Sequence, residues 1–380
     1  MDFAFDEAQL ELRSSAAAFL GDHSGSEQVR AAMETELGYD PRVWKQIASE
    51  LGWSALLIPE SYGGLGLGYV ELVALMEIMG GSLLCAPFFS SICMGANALL
   101  VAGSEAQKQQ HLPGIAAGET LAALAHAEAG GNWDAAGICA TARRDGDEFV
   151  LNGTKSFVVD GHAADLLIVA TRIAASRGAD GIELFLVSGH APGLETRVLT
   201  TMDQTRRLAE VKLDDVRVPP SARLGADGSA GWPELREILD RAAIALAAEQ
   251  VGGAQKCLDM AVNHALQREQ FGRPIASFQA IKHKCADMMV LVESARSASY
   301  YAGCVAAEDG DELPAVASLA KAYCSEAYFK CAAECLQIHG GVGVTWETDV
   351  QLYLKRARSS ESLLGDASYH RERVAQQIGL

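Results

Sequence analysis

Basic residues are in short supply in this chain: 31 Lys and Arg face 49 Asp and Glu, for a net charge of −18. Duplex nucleic acid is therefore excluded as a partner, because neutralising its phosphates takes a basic surface. The acids are dispersed rather than gathered into a tail and read as a solvated surface. A local basic patch for a small phosphorylated ligand stays open. Long apolar runs are missing too, and none reaches the roughly 20 residues of a membrane span. The opening MDFAFDEAQL is acidic and lacks the positive stretch of a secretory leader. Aromatics make up only 7%. Nine cysteines are an odd number without framework spacing, which predicts reduced thiols and a cytoplasmic protein. Cys331 and Cys335 share a helix face, but no second ligand pair stands near them in sequence, so they read as small buried hydrophobes and no metal is expected.

What is present suits a large folded protein. The 380 residues are 49% hydrophobic, enough for two or three domains. Residues 1–120 show helical periodicity, with Asp6-Glu7 ahead of Leu10, Leu12 and Phe19, and Val43, Trp44, Ile47 and Leu51 further on. The loop Ile58–Glu71 carries Gly63, Gly64, Gly66 and Gly68, either as a tight interhelical turn or as a phosphate cradle. Helical residues follow at Leu72–Met79 and Gln107–Ala117. From 121 to 228 the pattern is that of a small β module: Leu121–Ala127, Glu148–Leu151, a turn at Asn152-Gly153, then Lys155–Val159, Leu166–Thr171, Glu183–Val187, Glu195–Leu199 and Leu208–Val218, ending near Gly228. Residues 229–380 turn helical again, with long segments from Leu235 to Leu266, Lys282–Ala307 and Ala315–His339. The expected fold class is α+β: an N-terminal helical domain, a middle β-barrel or sandwich, and a C-terminal four-helix bundle. The glycines of Gln337–Gly343 end the last long helix and allow backbone N–H groups to approach a phosphate.

Several motifs together resemble the acyl-CoA dehydrogenase family. They are Arg268-Glu-Gln-Phe271-Gly272-Arg-Pro274-Ile275, Phe278-Gln279, Lys282-His283, Ala286-Asp287-Met288, Gln337-Ile-His-Gly340-Gly341-Val-Gly343, and Pro59-Glu60 with Tyr62-Gly63-Gly64-Leu65-Gly66-Leu67. The resemblance covers the whole chain. It implies the three-part fold above, FAD as cofactor, and oxidation of acyl-CoA thioesters at Cα–Cβ, with a carboxylate taking the α-proton while hydride passes to the flavin. It implies dimers, often paired into tetramers, in which each subunit clamps the ADP end of its neighbour's FAD. An electron acceptor such as an electron-transfer flavoprotein is implied as well. Residue by residue, Arg268 matches the diphosphate-binding arginine. Phe271 and Gln279 match positions near the adenosine, and Gln337, Gly340 and Gly341 match the ribose and diphosphate contacts.

Other parts of the family pattern are missing. Ala127-Glu128-Ala129 stands where Thr-Glu-Pro is usual, and Val159 replaces a hydroxyl beside the flavin that valine cannot imitate. The usual catalytic Glu lies 27 residues after the clamp glutamine and before a glycine; Leu364 is there, followed by Gly365. A minority position lies 29 residues before Phe271 and holds Ala242. Asp240, Glu249, Glu361 and Asp366 are candidates for a relocated base. His126, His162 and His283 read as satisfied core residues. Lys355-Arg356-Ala357-Arg358 reads as a solvated basic face or a contact for CoA phosphates.

The expectation is a subunit of a heteromeric α2β2 acyl-CoA dehydrogenase whose partner subunit carries the catalytic Glu, acting on a CoA thioester that the resemblance suggests is steroid-derived. The alternatives are a self-sufficient homomeric enzyme with a displaced carboxylate and a flavin-free acyl-CoA-binding or scaffold paralogue.

Overall fold

The computed structural model describes residues 6–226 and 229–380. Gly228, the expected end of the β module, and the first five residues lie outside them. The helical, β, helical order holds, and the described chain divides into two compact units.

One unit comprises Met1–Met33, Tyr69–Cys85 and Ala243–Leu380. Its first helix, α1 (Glu7–His23), starts where the sequence places it: Asp6 accepts from the Gln9 backbone and Gln9 answers back in a capping box. α2 (Ser26–Glu34) follows. α3 (Pro41–Lys45) belongs to the other unit, and α4 (Tyr69–Gly81), apolar almost throughout, returns to this one. Two short helices of the other unit come next, α5 (Asn97–Ala102) and α6 (Glu105–Ala116). The strands β1 (Ala122–Ala125), β2 (Thr141–Asp145), β3 (Glu148–Val159), β4 (Leu166–Ile173), β5 (Ile182–Ser188), β6 (Leu194–Val198) and β7 (Leu208–Val218) precede the long helices. Those are α7 (Trp232–Gln267), α8 (Gln279–Ala307) and α9 (Leu313–His339), with a small hairpin, β8 (Glu269–Gln270) and β9 (Arg273–Pro274), between the first two. α10 (Val350–Ser362) and α11 (Ala367–Gln377) close the chain.

The core of this first unit runs through Ala254, Cys257, Ala261, Val292, Tyr328, Cys331, Cys335 and Ala357. Alanine and cysteine dominate because the helices lie close. The tightest crossing is backbone on backbone. A Cβ added to Gly252 of α7 would sit 1.7 Å from the Glu77 carbonyl oxygen of α4, and one added to Gly80 would sit 1.9 Å from that of Glu249. Gly252→Ala is therefore expected to cost about 1–3 kcal/mol through overpacking. Thermal unfolding checks this, with Gly341→Ala as control, since nothing lies within 4 Å of a Cβ there.

The second unit comprises Glu34–Gly68 and Ala86–Ala242. Its sheet runs β1-β4-β2-β3-β7-β6, with β5 also paired to β4. β4 is parallel to β1 and β2; the remaining pairs are antiparallel. Leu151, Val169, Phe185, Val187, Val211 and Leu213 fill its core. One expectation fails here. Asn152-Gly153 is not a hairpin turn but lies inside β3, at a register shift between Leu151 and Gly153. Asn152 exchanges 2.9 Å hydrogen bonds with the side chain and backbone of Asp215 across the bulge. The hairpin is six residues earlier, where Asp145 pairs with Glu148. The glycine loop near Ile58 is a turn that folds back on itself: a Cβ on Gly64 would lie 1.8 Å from the Ile58 carbonyl oxygen.

Candidate active site

The six expected clamp residues all belong to the first unit and are all exposed. Arg268 follows the last turn of α7, its N–H donating to His264 at 2.8 Å. Gln270 pairs with Arg273, leaving Phe271-Gly272 as a two-residue turn with φ of 56° and 75°, both in the left-handed region that such hairpins require. Phe271 is 92% exposed at its tip. It meets the edge of Phe278, at 6.0 Å, and Phe278 immediately precedes Gln279, the first residue of α8. On α9, Gln337 lies two residues before His339, whose ring stacks on His264 at 4.1 Å. That stack brings the ends of α7 and α9 together, and with them Arg268, Gln337, Gly340 and Gly341.

Among the described residues, the side chains of Arg268, Gln279 and Gln337 make no hydrogen bond or ion pair. A Cβ on Gly340 or Gly341 would meet nothing within 4 Å. A guanidinium, two amides and bare backbone facing open space are the donor set that a diphosphate and its sugar need. The local field agrees: burial, the neighbouring His339 and the Arg268 charge hold the His264 pKa below its usual value.

The two base positions are aliphatic and buried. Ala242 on α7 is 0% exposed and Leu364 is 4% exposed. Leu364 has a φ of 62°, unusual for leucine, and its bend is pinned from both sides. His370 Nε2 donates to the Leu364 carbonyl at 3.0 Å. Lys321, fully buried on α9, donates to the carbonyls of Gly365 at 3.1 Å and Glu361 at 3.2 Å and to Ser325 Oγ at 2.9 Å. Sequence reasoning missed Lys321 and His370; a lone lysine inside the apolar run SLAKAYCSEAYF was the available signal.

Three of the four alternative carboxylates have structural work. Glu249 is buried and pairs with Arg356 at 2.9 Å. Glu361 pairs with Arg358 at 2.5 Å, and Asp366 caps α11 by accepting from the Tyr369 N–H at 2.8 Å. Asp240 is 1% exposed on α7.

The basic run is solvated only in part: Arg358 is exposed and Lys355 half-buried. Lys355 lies over Trp346 at 4.5 Å and Arg358 over Phe329 at 5.3 Å, while Arg356 is buried.

In the second unit, Ala127 and Val159 are buried at 4% and 2% exposure. Neither offers a flavin a polar group. Glu128 is committed locally: one oxygen accepts from Lys155 Nζ at 2.7 Å and from the N–H groups of Cys139 and Ala140 at 2.8 Å each. His126 is a core residue but not a satisfied one, since among the described residues neither ring nitrogen has a hydrogen-bond partner. Burial and the Lys155 charge push its pKa down to about 3. His162 Nε2 lies 3.1 Å from the Leu37 carbonyl oxygen, and His283 is exposed.

No described helix is long and apolar enough to cross a membrane. No described group of three or more His, Cys, Asp or Glu could hold a metal.

Comparison with known proteins agrees over the full length. The chain is 34% identical over 370 residues to acyl-CoA dehydrogenase IpdE2 of Mycolicibacterium smegmatis, covering 97% of each. Its fold superposes on one chain of the ChsE4-ChsE5 complex from Mycobacterium tuberculosis with a TM-score of 0.90 at 27% identity, covering 100% of this chain and 99% of that one. On the Tcur3481-Tcur3483 steroid ACAD the TM-score is 0.88 at 30% identity, covering 98% of each. The N-terminal, middle and C-terminal domain models of acyl-CoA dehydrogenase match residues 6–119, 123–216 and 229–379. Matched from one end to the other by a single family's three domains, the chain belongs to the acyl-CoA dehydrogenases.

Proposed function

We propose that this chain is one subunit of a heteromeric, FAD-dependent acyl-CoA dehydrogenase, supplying the clamp for a cofactor whose flavin end lies in a partner subunit that carries the base. The observation that carries this reading is a contrast within one chain. Arg268, Phe271, Gln279, Gln337, Gly340 and Gly341 are exposed and available, whereas the positions for proton abstraction hold buried Leu364 and Ala242. An aliphatic side chain cannot accept a proton, so this chain's own residues supply no base at either place. When bound, FAD supplies the hydride acceptor for Cα–Cβ oxidation. Arg268 would fork onto the diphosphate, the glutamines would bond the sugar and adenine ends, and Phe271 would cover the adenosine. Support for a paired assembly and a bulky steroid-derived thioester comes from the relatives: one is a two-chain complex, and another is described as a steroid enzyme. The in-chain partners of Glu249, Glu361 and Asp366 argue against a self-sufficient homomer.

The test is expression alone and together with a candidate partner, an acyl-CoA dehydrogenase-like chain that keeps Glu at one of the two base positions. The expected result is little flavin and no turnover alone, and a yellow, active complex on co-expression. Full FAD occupancy and turnover by the chain alone would sink the proposal, and a colourless complex would favour the scaffold alternative. Within the complex, Arg268→Ala should weaken FAD binding about 10- to 150-fold, from the roughly 1.5–3 kcal/mol of a charged hydrogen bond. Arg268→Lys should recover only part of this, because an ammonium lacks the fork. Flavin released on gel filtration measures both.

A further inference from the structure

Arg268 and the Gly340-Gly341 pair belong to the ends of two different helices, α7 and α9. Each end carries a histidine in its last turn: His264 in α7 and His339 in α9. Both are half-buried. Their rings stack with centroids 4.1 Å apart and planes 26° from parallel.

Each ring is tied through the backbone to the clamp residue beside it. On the α7 side the His264 carbonyl accepts the Arg268 N–H at 2.8 Å, and the Arg268 carbonyl accepts the Ile275 N–H at 2.8 Å beyond the hairpin. The backbone of Arg268 is therefore held at both ends, one of them through His264. On the α9 side His339 Nδ1 stands 2.8 Å from the Cys335 carbonyl oxygen. A carbonyl only accepts, so Nδ1 carries the proton, and the ring cannot swing away without losing that bond. The glycine turn closes over the same residue. Gly340 has a φ of 64°, and a Cβ added to Gly343 would lie 3.0 Å from the His339 Cβ. A ring fixed on one helix end thus meets a ring fixed on the other.

A guanidinium from one helix and bare backbone from the other can grip one diphosphate only if the two ends keep a set spacing. An end free to slide would add its own ordering cost to binding. Two flat rings in contact resist both sliding and splaying. We propose that His264 and His339 are positioning residues for FAD binding, whose stacked rings hold Arg268 in register with Gly340 and Gly341; the proposal rests on the clamp reading above. The histidines act through these neighbours rather than by touching the cofactor.

The test measures FAD dissociation from the assembled complex, with FAD itself as the probe, in a cycle of wild type, His264→Ala, Arg268→Ala and the double variant. His264→Ala should weaken FAD binding roughly 2- to 12-fold, the worth of an aromatic pair beyond its buried area. His264→Phe keeps a flat ring against His339 and should restore the affinity. In the Arg268→Ala background, His264→Ala should cost nothing further, because the group it positions is gone. Equal losses with and without Arg268, an unchanged affinity in His264→Ala, or no recovery in His264→Phe would overturn the proposal. If His264→Ala does not assemble, His264→Leu, which fills the space without a ring, takes its place in the cycle. An unchanged affinity in Arg268→Ala would sink the clamp reading and this proposal with it. A loss in Arg268→Ala with none in His264→Ala would leave the clamp standing and remove only the positioning role.

Discussion

Lowering the pH from 6.5 to 5 should remove about 3 kcal/mol of folding stability, roughly 1.7 kcal/mol from each of two histidines held neutral in the fold. His126 is 6% exposed with neither ring nitrogen bonded, and His370 is 1% exposed with its Nε2 spent on the Leu364 carbonyl. Burial first, then nearby cations, push both pKa values down to about 3. The cations are Lys155 for His126, and Lys321 and Arg373 for His370. A group with a lowered folded pKa that is neutral when basic takes up its proton on unfolding. Between its unfolded value near 6.5 and its folded value near 3 the unfolded chain binds more protons, so stability falls as the pH falls. The slope should approach two protons per chain, and His126→Leu should halve it. Urea midpoints across pH 7 to 5 supply the measurement. The window is clear of the carboxylates held low by arginines, Asp40 beside Arg42 and Asp145 beside Arg217, whose contributions are lost only at more acidic pH. A flat profile between pH 6.5 and 5 would show that these rings reach water in the folded state.

Arg356→Ala should destabilise the protein by roughly 3–5 kcal/mol, because it strands a buried carboxylate. Arg356 Nη1 and Glu249 Oε1 meet at 2.9 Å, with side chains 4% and 7% exposed. Removing the cation leaves Glu249 to be protonated or to pull the helices apart toward water. Replacing both members, Glu249→Leu with Arg356→Met, should recover most of the loss, since no charge then remains to be desolvated. Denaturant unfolding of the two variants gives the stability difference. The double variant also bears on the chemistry: in an assembled enzyme it should keep its turnover, whereas a base at Glu249 would make it inactive.

The long helices were legible in the sequence to within a few residues. Lys282–Ala307 was expected and Gln279–Ala307 is found, and the expected Ala315–His339 is Leu313–His339. An apolar period repeated over many turns fixes such an element locally. Asn152-Gly153 misled for the opposite reason: the left-handed tolerance that suits the pair to a turn also suits it to a bulge, and only the distant Asp215 decides between them. The candidate clamp residues are named by their motif, but the His264–His339 stack between Arg268 and Gln337 in the chain has no local pattern. Nor could Glu249 and Arg356, 107 positions apart, be paired by inspection.

The pinned bend at Leu364 has an evolutionary consequence. Its left-handed backbone is held by His370 and Lys321 through carbonyl groups, which every residue possesses. The fold therefore supports the peptide at 364 without consulting the side chain. In a homomeric ancestor, exchange of an acid for leucine there would leave the scaffold standing and silence only the chemistry. On the heteromeric proposal above, a second gene copy that kept the acid would let such a change drift through unopposed.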